Sequence, residues 1–134
     1  MANYKLRARD MMQVEVATIL EDATIAEAAL QMRLEGVRSL IIEPHNADDP
    51  FGIVTHSDMV TKVLAEGKDP TQVQIYEIMI KPAVQIPPGM EVGHIARLFR
   101  QTGIGHAPVV DSGKLLGIIS MTDLVTEVIT EPPA

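Results

Sequence analysis

One seven-residue pattern occurs twice in this chain, at residues 52–58 and 117–123. In each copy a glycine is followed by two β-branched apolar residues, a hydroxyl residue, two variable positions and an aspartate. Each copy then continues into a mainly apolar stretch. A pattern that returns at this distance indicates two copies of one supersecondary unit, so we expect the fold to be a duplication.

The two halves also align outside this pattern, for example at Gly36 and Gly103. The first half has two extra residues, which fall within residues 44–50. That stretch is rich in Pro, Asn and Asp and is predicted to be a surface loop, where insertions are tolerated. The second half closes the same gap at residues 111–114, whose Asp, Ser and Gly indicate a tight hairpin.

Each half is predicted to have the order β-α-β-β-α. The predicted fold class is therefore α/β (α+β), with both helices and strands in each repeat. A capping box starting at Thr24 begins the first helix, and Gly36 ends it. The predicted strands are 14–19, 39–43, 51–55, 83–86, 107–110 and 115–120, and the predicted helices are 24–35, 57–66, 91–103 and 122–129. The predicted repeats are residues 8–66 and 75–130, joined by a linker at 67–74. We expect the apolar sheet faces of the two halves to be buried together.

Composition and charge exclude several classes of function. Apolar residues make up 46% of the chain and aromatic residues only 3%, so the core is predicted to be aliphatic, and there are almost no aromatic side chains on which bases could stack. The net charge of −7 argues against nucleic acid or an anionic membrane as partner. The chain contains no cysteine and no signal-like or membrane-spanning apolar run. We therefore expect a cytoplasmic protein.

The repeated pattern places a hydroxyl and a carboxylate where a strand turns into a helix. Thr55 and Ser120 are predicted at the strand ends, and Asp58 and Asp123 in the first helical turns. A carboxylate there can accept hydrogen bonds from neighbouring sugar hydroxyls, and helix amides with hydroxyl side chains can bind phosphate. The same residues also form ordinary capping boxes. The residues alone leave both interpretations open.

No catalytic or metal-binding residues are predicted. The four histidines show no metal-ligand spacing and have no cysteine partners. His56, Ser57 and Asp58 are neighbours in sequence, and this adjacency does not by itself build a nucleophile, a base and an orienting group. We therefore expect a protein that is not an enzyme.

The duplicated unit resembles the CBS-domain family, in which two tandem domains form a Bateman module. The resemblance covers residues 10–129, as a stand-alone module. Both glycine-to-aspartate patterns are complete, and residues 106–111 resemble the family's segment before the hairpin. The methionine-containing segments at residues 10–12 and 78–79 also match. The resemblance implies two pseudo-twofold-related repeats, with their sheets packed together and their helices outside.

What the resemblance implies for function is regulatory binding of AMP, ADP or ATP in clefts between the repeats. The motif aspartate would hold the ribose, and the motif hydroxyl would contact phosphate. Arg38 and His106 stand where the family often places a basic residue facing phosphate. One cleft would use Ile118, Ser120, Thr122 and Asp123 with Ala17, Val37 and Arg38, and the other Ile53, Thr55, Ser57 and Asp58 with Val84, Ile104 and Gly105.

The two implied clefts are not equivalent, because the second repeat has Gly105 where the first has Arg38. We therefore favour the cleft of Asp123, which would gain Arg38. No cofactor is required in this interpretation. The implied partners are an adenine nucleotide, a second copy in a homodimer and a separate effector protein. Two alternatives remain: a structural or dimerisation module that binds no ligand, and a module for another adenosyl ligand such as S-adenosylmethionine.

Overall fold

The structure is a computed structural model and describes residues 3–130. It is a mixed α+β chain with two compact units. One unit is continuous and spans Val16–Ala83. The other joins the start of the chain, up to Glu15, to the second half from Val84 onward.

The helices are α1 Ala8–Met11, α2 Ile25–Glu35, α3 His56–Met59, α4 Val92–Thr102 and α5 Met121–Leu124, with a 3₁₀ turn at Ile75–Glu77. The strands are β1 Thr18–Ile19, β2 Ser39–Ile42, β3 Gly52–Thr55, β4 His106–Asp111 and β5 Lys114–Ser120. In the continuous unit β1 is parallel to β2, and β2 is antiparallel to β3. In the other unit β4 and β5 form an antiparallel hairpin.

Helix α2 forms where it was predicted, because its two ends are capped. The Thr24 side chain accepts a hydrogen bond from the Glu27 amide at 3.1 Å, which is one half of the predicted capping box. Gly36 ends the helix with a φ of 68°, a left-handed conformation that glycine adopts without a steric penalty. Helix α4 ends in the same way at Gly103.

The first strand of each half is shorter than predicted. Only Thr18–Ile19 forms a strand in place of 14–19, and residues 83–86 form none. Ile86 makes a single parallel bridge to Val109. Pro82, Pro87 and Pro88 surround this second segment, and they cannot donate to a ladder and restrict the residues before them. Their positions explain why the pairing stops at one bridge.

The helix that follows each repeated pattern also differs from the prediction. Each makes one α-helical turn and then widens into a π-helix, at Val60–Leu64 after α3 and at Val125–Ile129 after α5. In both, a threonine hydroxyl donates to the carbonyl four residues earlier: Thr61 to Ser57 at 2.8 Å and Thr126 to Thr122 at 3.0 Å. This bond competes with the α-helical amide for the same acceptor, which favours a wider turn.

The cores of both units are aliphatic, as the composition predicts. The continuous unit buries Ile25, Ala28, Met32, Leu40, Ile42, Val54, Met59, Val63, Val73, Ile75 and Ile78. The other unit buries Ala8, Met11, Ile86, Val92, Ile95, Phe99, Ala107, Val109, Ile119 and Val128. Val73 lies in the stretch predicted as a linker, yet its side chain is buried and its carbonyl accepts from the Ile25 amide at 2.9 Å.

A short segment pairs with the motif strand in each unit, and we term residues 11–13 and 78–80 the edge segments. Gln13 and Ile118 exchange two backbone hydrogen bonds of 2.8 and 2.9 Å, and Ile80 and Ile53 exchange two of 2.9 Å. The motif glycine lies beneath this pairing. A Cβ at Gly117 would lie 2.7 Å from the Gln13 carbonyl oxygen. The glycine at position 117 is thus required by the close approach of backbone.

The two motif glycines are predicted to differ in their tolerance of alanine. At Gly52 a Cβ would come no closer than 3.3 Å to any atom outside its immediate neighbours. Gly117→Ala should therefore destabilise by about 1–3 kcal/mol, as overpacking does, and Gly52→Ala by less. Urea unfolding of both variants measures this difference. Equal losses at the two positions would contradict the prediction.

The loop that carries the two extra residues is held by a cluster of charged side chains. Lys81 Nζ lies 2.8 Å from Asp49 Oδ1 and 3.5 Å from Glu21 Oε2. His45 Nε2 lies 2.6 Å from Glu21 Oε1. The hydrogen bond from His45 lowers the pKa of Glu21, and that from Lys81 lowers the pKa of Asp49. The same bond to Asp49 raises the pKa of Lys81.

These shifts predict the pH dependence of the continuous unit. The lowered pKa values mean that Glu21 and Asp49 add stability that is present above their ordinary values of 4.5 and 3.8 and is lost as the pH falls through the lowered ones. Lys81→Met should raise the pKa values of Glu21 and Asp49 and so reduce the part of the stability that is lost in acid. Thermal unfolding between about pH 3 and 7 tests it, because the linkage acts below about pH 5. Lys68→Met is the control, and identical profiles for the two variants would refute the prediction.

Candidate ligand-binding site

The corner between β5 and α5 holds Ser120 and Asp123 in a closed pair of hydrogen bonds. The Asp123 amide donates to Ser120 Oγ at 3.3 Å. In return, Asp123 Oδ2 accepts from the Ser120 amide at 2.8 Å and from its hydroxyl at 3.0 Å. Asp123 is only 7% exposed. The carboxylate is therefore fixed in position by the first turn of the helix.

The corner between β3 and α3 has the same construction. Asp58 Oδ2 accepts from the Thr55 amide at 3.0 Å and from the Thr55 hydroxyl at 3.1 Å, and the Asp58 amide donates to Thr55 Oγ1 at 3.3 Å. Both aspartates thus complete capping boxes. The capping role left open by the sequence is present at both corners, and in each it uses one of the two carboxylate oxygens.

The other oxygen has a different partner at each corner. Asp123 Oδ1 accepts a hydrogen bond of 3.0 Å from the Gln13 side-chain amide. Asp58 Oδ1 forms an ion pair of 3.0 Å with Lys62. Sequence reasoning missed both partners. The spacing of Lys62, four residues after Asp58 on a predicted helix, was an available signal, whereas Gln13 is remote in sequence and gave none.

The residue just before β2 and the residue just before β4 each contact the corner of their own unit. The Met121 amide donates to the Gly105 carbonyl at 2.9 Å, and the His56 amide donates to the Arg38 carbonyl at 3.1 Å. The Arg38 side chain is exposed. Each corner therefore has a hydroxyl, a carboxylate and the backbone carbonyl of Arg38 or Gly105 held together by hydrogen bonds.

The predicted site residues divide between the two units. His106 begins β4 and pairs with Ser120 on β5. The unit with the second corner contains Val84, Ile104, Gly105, His106, Ile118, Ser120, Thr122 and Asp123. The continuous unit contains Ala17, Val37, Arg38, Ile53, Thr55, Ser57 and Asp58. Each cleft implied by the family resemblance takes residues from both units, and that grouping stays a prediction.

Within residues 3–130 no group of three or more His, Cys, Asp or Glu side chains is arranged to hold a metal ion. In the same range, no helix is long and apolar enough to span a bilayer.

Relatives of the chain are CBS proteins. The hexameric CBS-CP12 protein from bloom-forming cyanobacteria, whose crystal structure has been determined at 2.8 Å resolution, is 44% identical in sequence to this chain. The match covers 96% of this chain and 72% of the CBS-CP12 chain, with a TM-score of 0.90. CBS domain-containing protein YhcV of Bacillus subtilis is 30% identical over 87% of this chain and 81% of its own.

An uncharacterized protein of Methanopyrus kandleri is 38% identical over 83% of this chain, which spans 57% of that relative's length. The sequence profile of the CBS domain matches residues 8–65 and again residues 75–130. The resemblance seen in the repeated motif is thereby confirmed. The chain belongs to the CBS-domain family and carries two CBS domains in tandem.

Proposed function

We propose that this CBS pair is a regulatory module that binds an adenine nucleotide (AMP, ADP or ATP) and acts on a separate effector protein. The observation that supports the proposal is the identical locking of hydroxyl and carboxylate at both corners. A carboxylate held in place before a ligand arrives loses little freedom on binding. Its oxygens are suited to the two neighbouring hydroxyls of a ribose.

Further residues complete the proposed recognition. The motif hydroxyls of Ser120 and Thr55 and the basic side chains of Arg38 and His106 are candidates for phosphate contacts, since guanidinium and hydroxyl donors match phosphate oxygens. A half-buried apolar residue would face the base in each cleft, Ile118 in that of Asp123 and Ile104 in that of Asp58. The proposed role is binding without catalysis.

Calorimetric titration of the full chain with AMP, ADP and ATP tests the proposal. We expect a saturable heat with at least one of them. Asp123→Ala should remove most of the binding if the second corner is occupied, and Asp58→Ala should do so if the first corner is. No heat with any of the three nucleotides would reject nucleotide binding.

The competing role, a helix cap with no ligand, is supported by the completed capping boxes. It predicts that each Asp→Ala variant loses about 0.5–2 kcal/mol of stability and that no adenosyl compound raises the melting temperature. A ligand at 100 times its dissociation constant adds about 2.7 kcal/mol to stability. A thermal-shift series that includes S-adenosylmethionine therefore separates the cap, the nucleotide module and the module for another adenosyl ligand.

We also propose that the chain self-associates, at least as a homodimer. Leu30 and Leu34 of α2 are 55% and 77% exposed and lie one turn apart, so they form an apolar ridge on the helix. The aligned positions on α4 are Arg97 and Gln101, which are polar. The 44%-identical CBS-CP12 protein is hexameric. These observations favour α2 as a contact between copies.

Light scattering after gel filtration tests the assembly. The wild-type chain should elute as a dimer or larger, and Leu34→Glu should shift it toward the monomer because a charge would then be buried at the contact. Gln101→Glu is the matched control on α4 and should leave the mass unchanged. A monomeric wild-type chain at micromolar concentration would refute self-association.

A further inference from the structure

We propose that the partner of the second carboxylate oxygen decides which corner takes a nucleotide: Lys62 closes the corner of Asp58, and Gln13 leaves the corner of Asp123 competent. The inference rests on the proposed nucleotide binding and adds which site is used and what selects it. The inference turns on Oδ1 of each aspartate, because Oδ2 is held in the same way at the two corners.

Lys62 is fixed at the first corner by two acceptors. Its ammonium lies 3.0 Å from Asp58 Oδ1 and donates to the Ile78 carbonyl at 2.9 Å. The Asp58 carboxylate is therefore neutralised, and each of its oxygens already accepts at least one hydrogen bond. A ribose hydroxyl would have to replace a charge-assisted hydrogen bond with one from a neutral donor, and the former is the stronger kind. The exchange is unfavourable at this corner.

Gln13 gives the second corner a partner of another kind. Its amide is neutral, and the bond it makes to Asp123 Oδ1 is 3.0 Å long. Gln13 is an exposed residue whose backbone is held by Ile118, so its side chain can turn away without loss of the edge pairing. A ribose hydroxyl would then replace one neutral donor with another. An amide also carries an acceptor, so Gln13 can bond the incoming sugar as well.

Asp123 also lacks the kind of ion pair that Lys62 makes with Asp58. Across residues 3–130, no Lys or Arg lies within salt-bridge distance of Asp123. Glu127 occupies the position that aligns with Lys62, and Ile80 the position that aligns with Gln13. The difference between the corners is therefore encoded at two aligned positions, and exchanging residue types there can move binding from one corner to the other.

Calorimetric titration of the full chain with AMP, ADP and ATP, carried out on three variants beside the wild type, tests the inference. The wild-type chain should bind one nucleotide. Lys62→Met keeps the aliphatic stem and removes the charge, and a second binding event per chain should appear. Glu127→Lys, at an exposed position, places an ammonium four residues after Asp123 and should weaken binding about tenfold. Lys68→Met, a charge loss elsewhere on the surface, should change neither quantity.

The outcomes separate this inference from the proposed function. A wild-type chain that binds two nucleotides with equal affinity, or loses binding on Asp58→Ala and keeps it on Asp123→Ala, would overturn the assignment of the corners while nucleotide binding stands. Unchanged titrations of both Lys62→Met and Glu127→Lys would also overturn it. No heat from the wild type with any of the three nucleotides rejects nucleotide binding itself, and the inference with it. Thermal melts of each variant check that it is folded.

Discussion

The reciprocal pairing of the edge segments with the motif strands is the interaction on which both units depend. In the unit with the second corner, this pairing brings the edge segment onto the glycine of the motif, and only a residue without a side chain leaves room for it. It also ties the start of the chain to the second half. Because Gln13 is part of this pairing, the backbone contact with Ile118 also places the Gln13 side-chain amide beside Asp123. The same pairing thus contributes to the packing of the unit and to the candidate site.

Duplication has preserved the backbone of the corner and changed its surroundings. The capping boxes, the threonine bonds and the π-helical turns are the same in both copies. The residues outside the helical turn differ: an ammonium in one copy and an amide in the other. Helix starts impose their geometry through the unpaired amides of the first turn, so any duplicated helix start retains it. The two copies then differ in side chains beyond the first turn, Lys62 at one corner and Gln13 at the other.

Much of this arrangement could be predicted from the sequence because it is local. The caps of α2 at Thr24 and Gly36, the tight hairpin at residues 111–114 and the motif corners depend on residues a few positions apart. What could not be predicted depends on contacts across the chain. Residues 14–17 and 83–86 look extended in sequence, but neither segment forms a strand, and prolines flank the second one. The bond between Gln13 and Asp123 joins residues remote in sequence, and the burial of Val73 in a predicted linker is likewise a tertiary effect.

The division of the chain into units has a consequence for biosynthesis. The unit Val16–Ala83 is continuous, so all of its parts have been synthesised once Ala83 has been added. The other unit is built from segments on both sides of the continuous one, so α1 has to wait for β4 and β5. Domains that fold during synthesis do so in the order in which their chains are completed. The side chains of Ala8 and Met11 on α1 therefore lack their core partners until β4 and β5 have been synthesised, and the second unit is completed after the first.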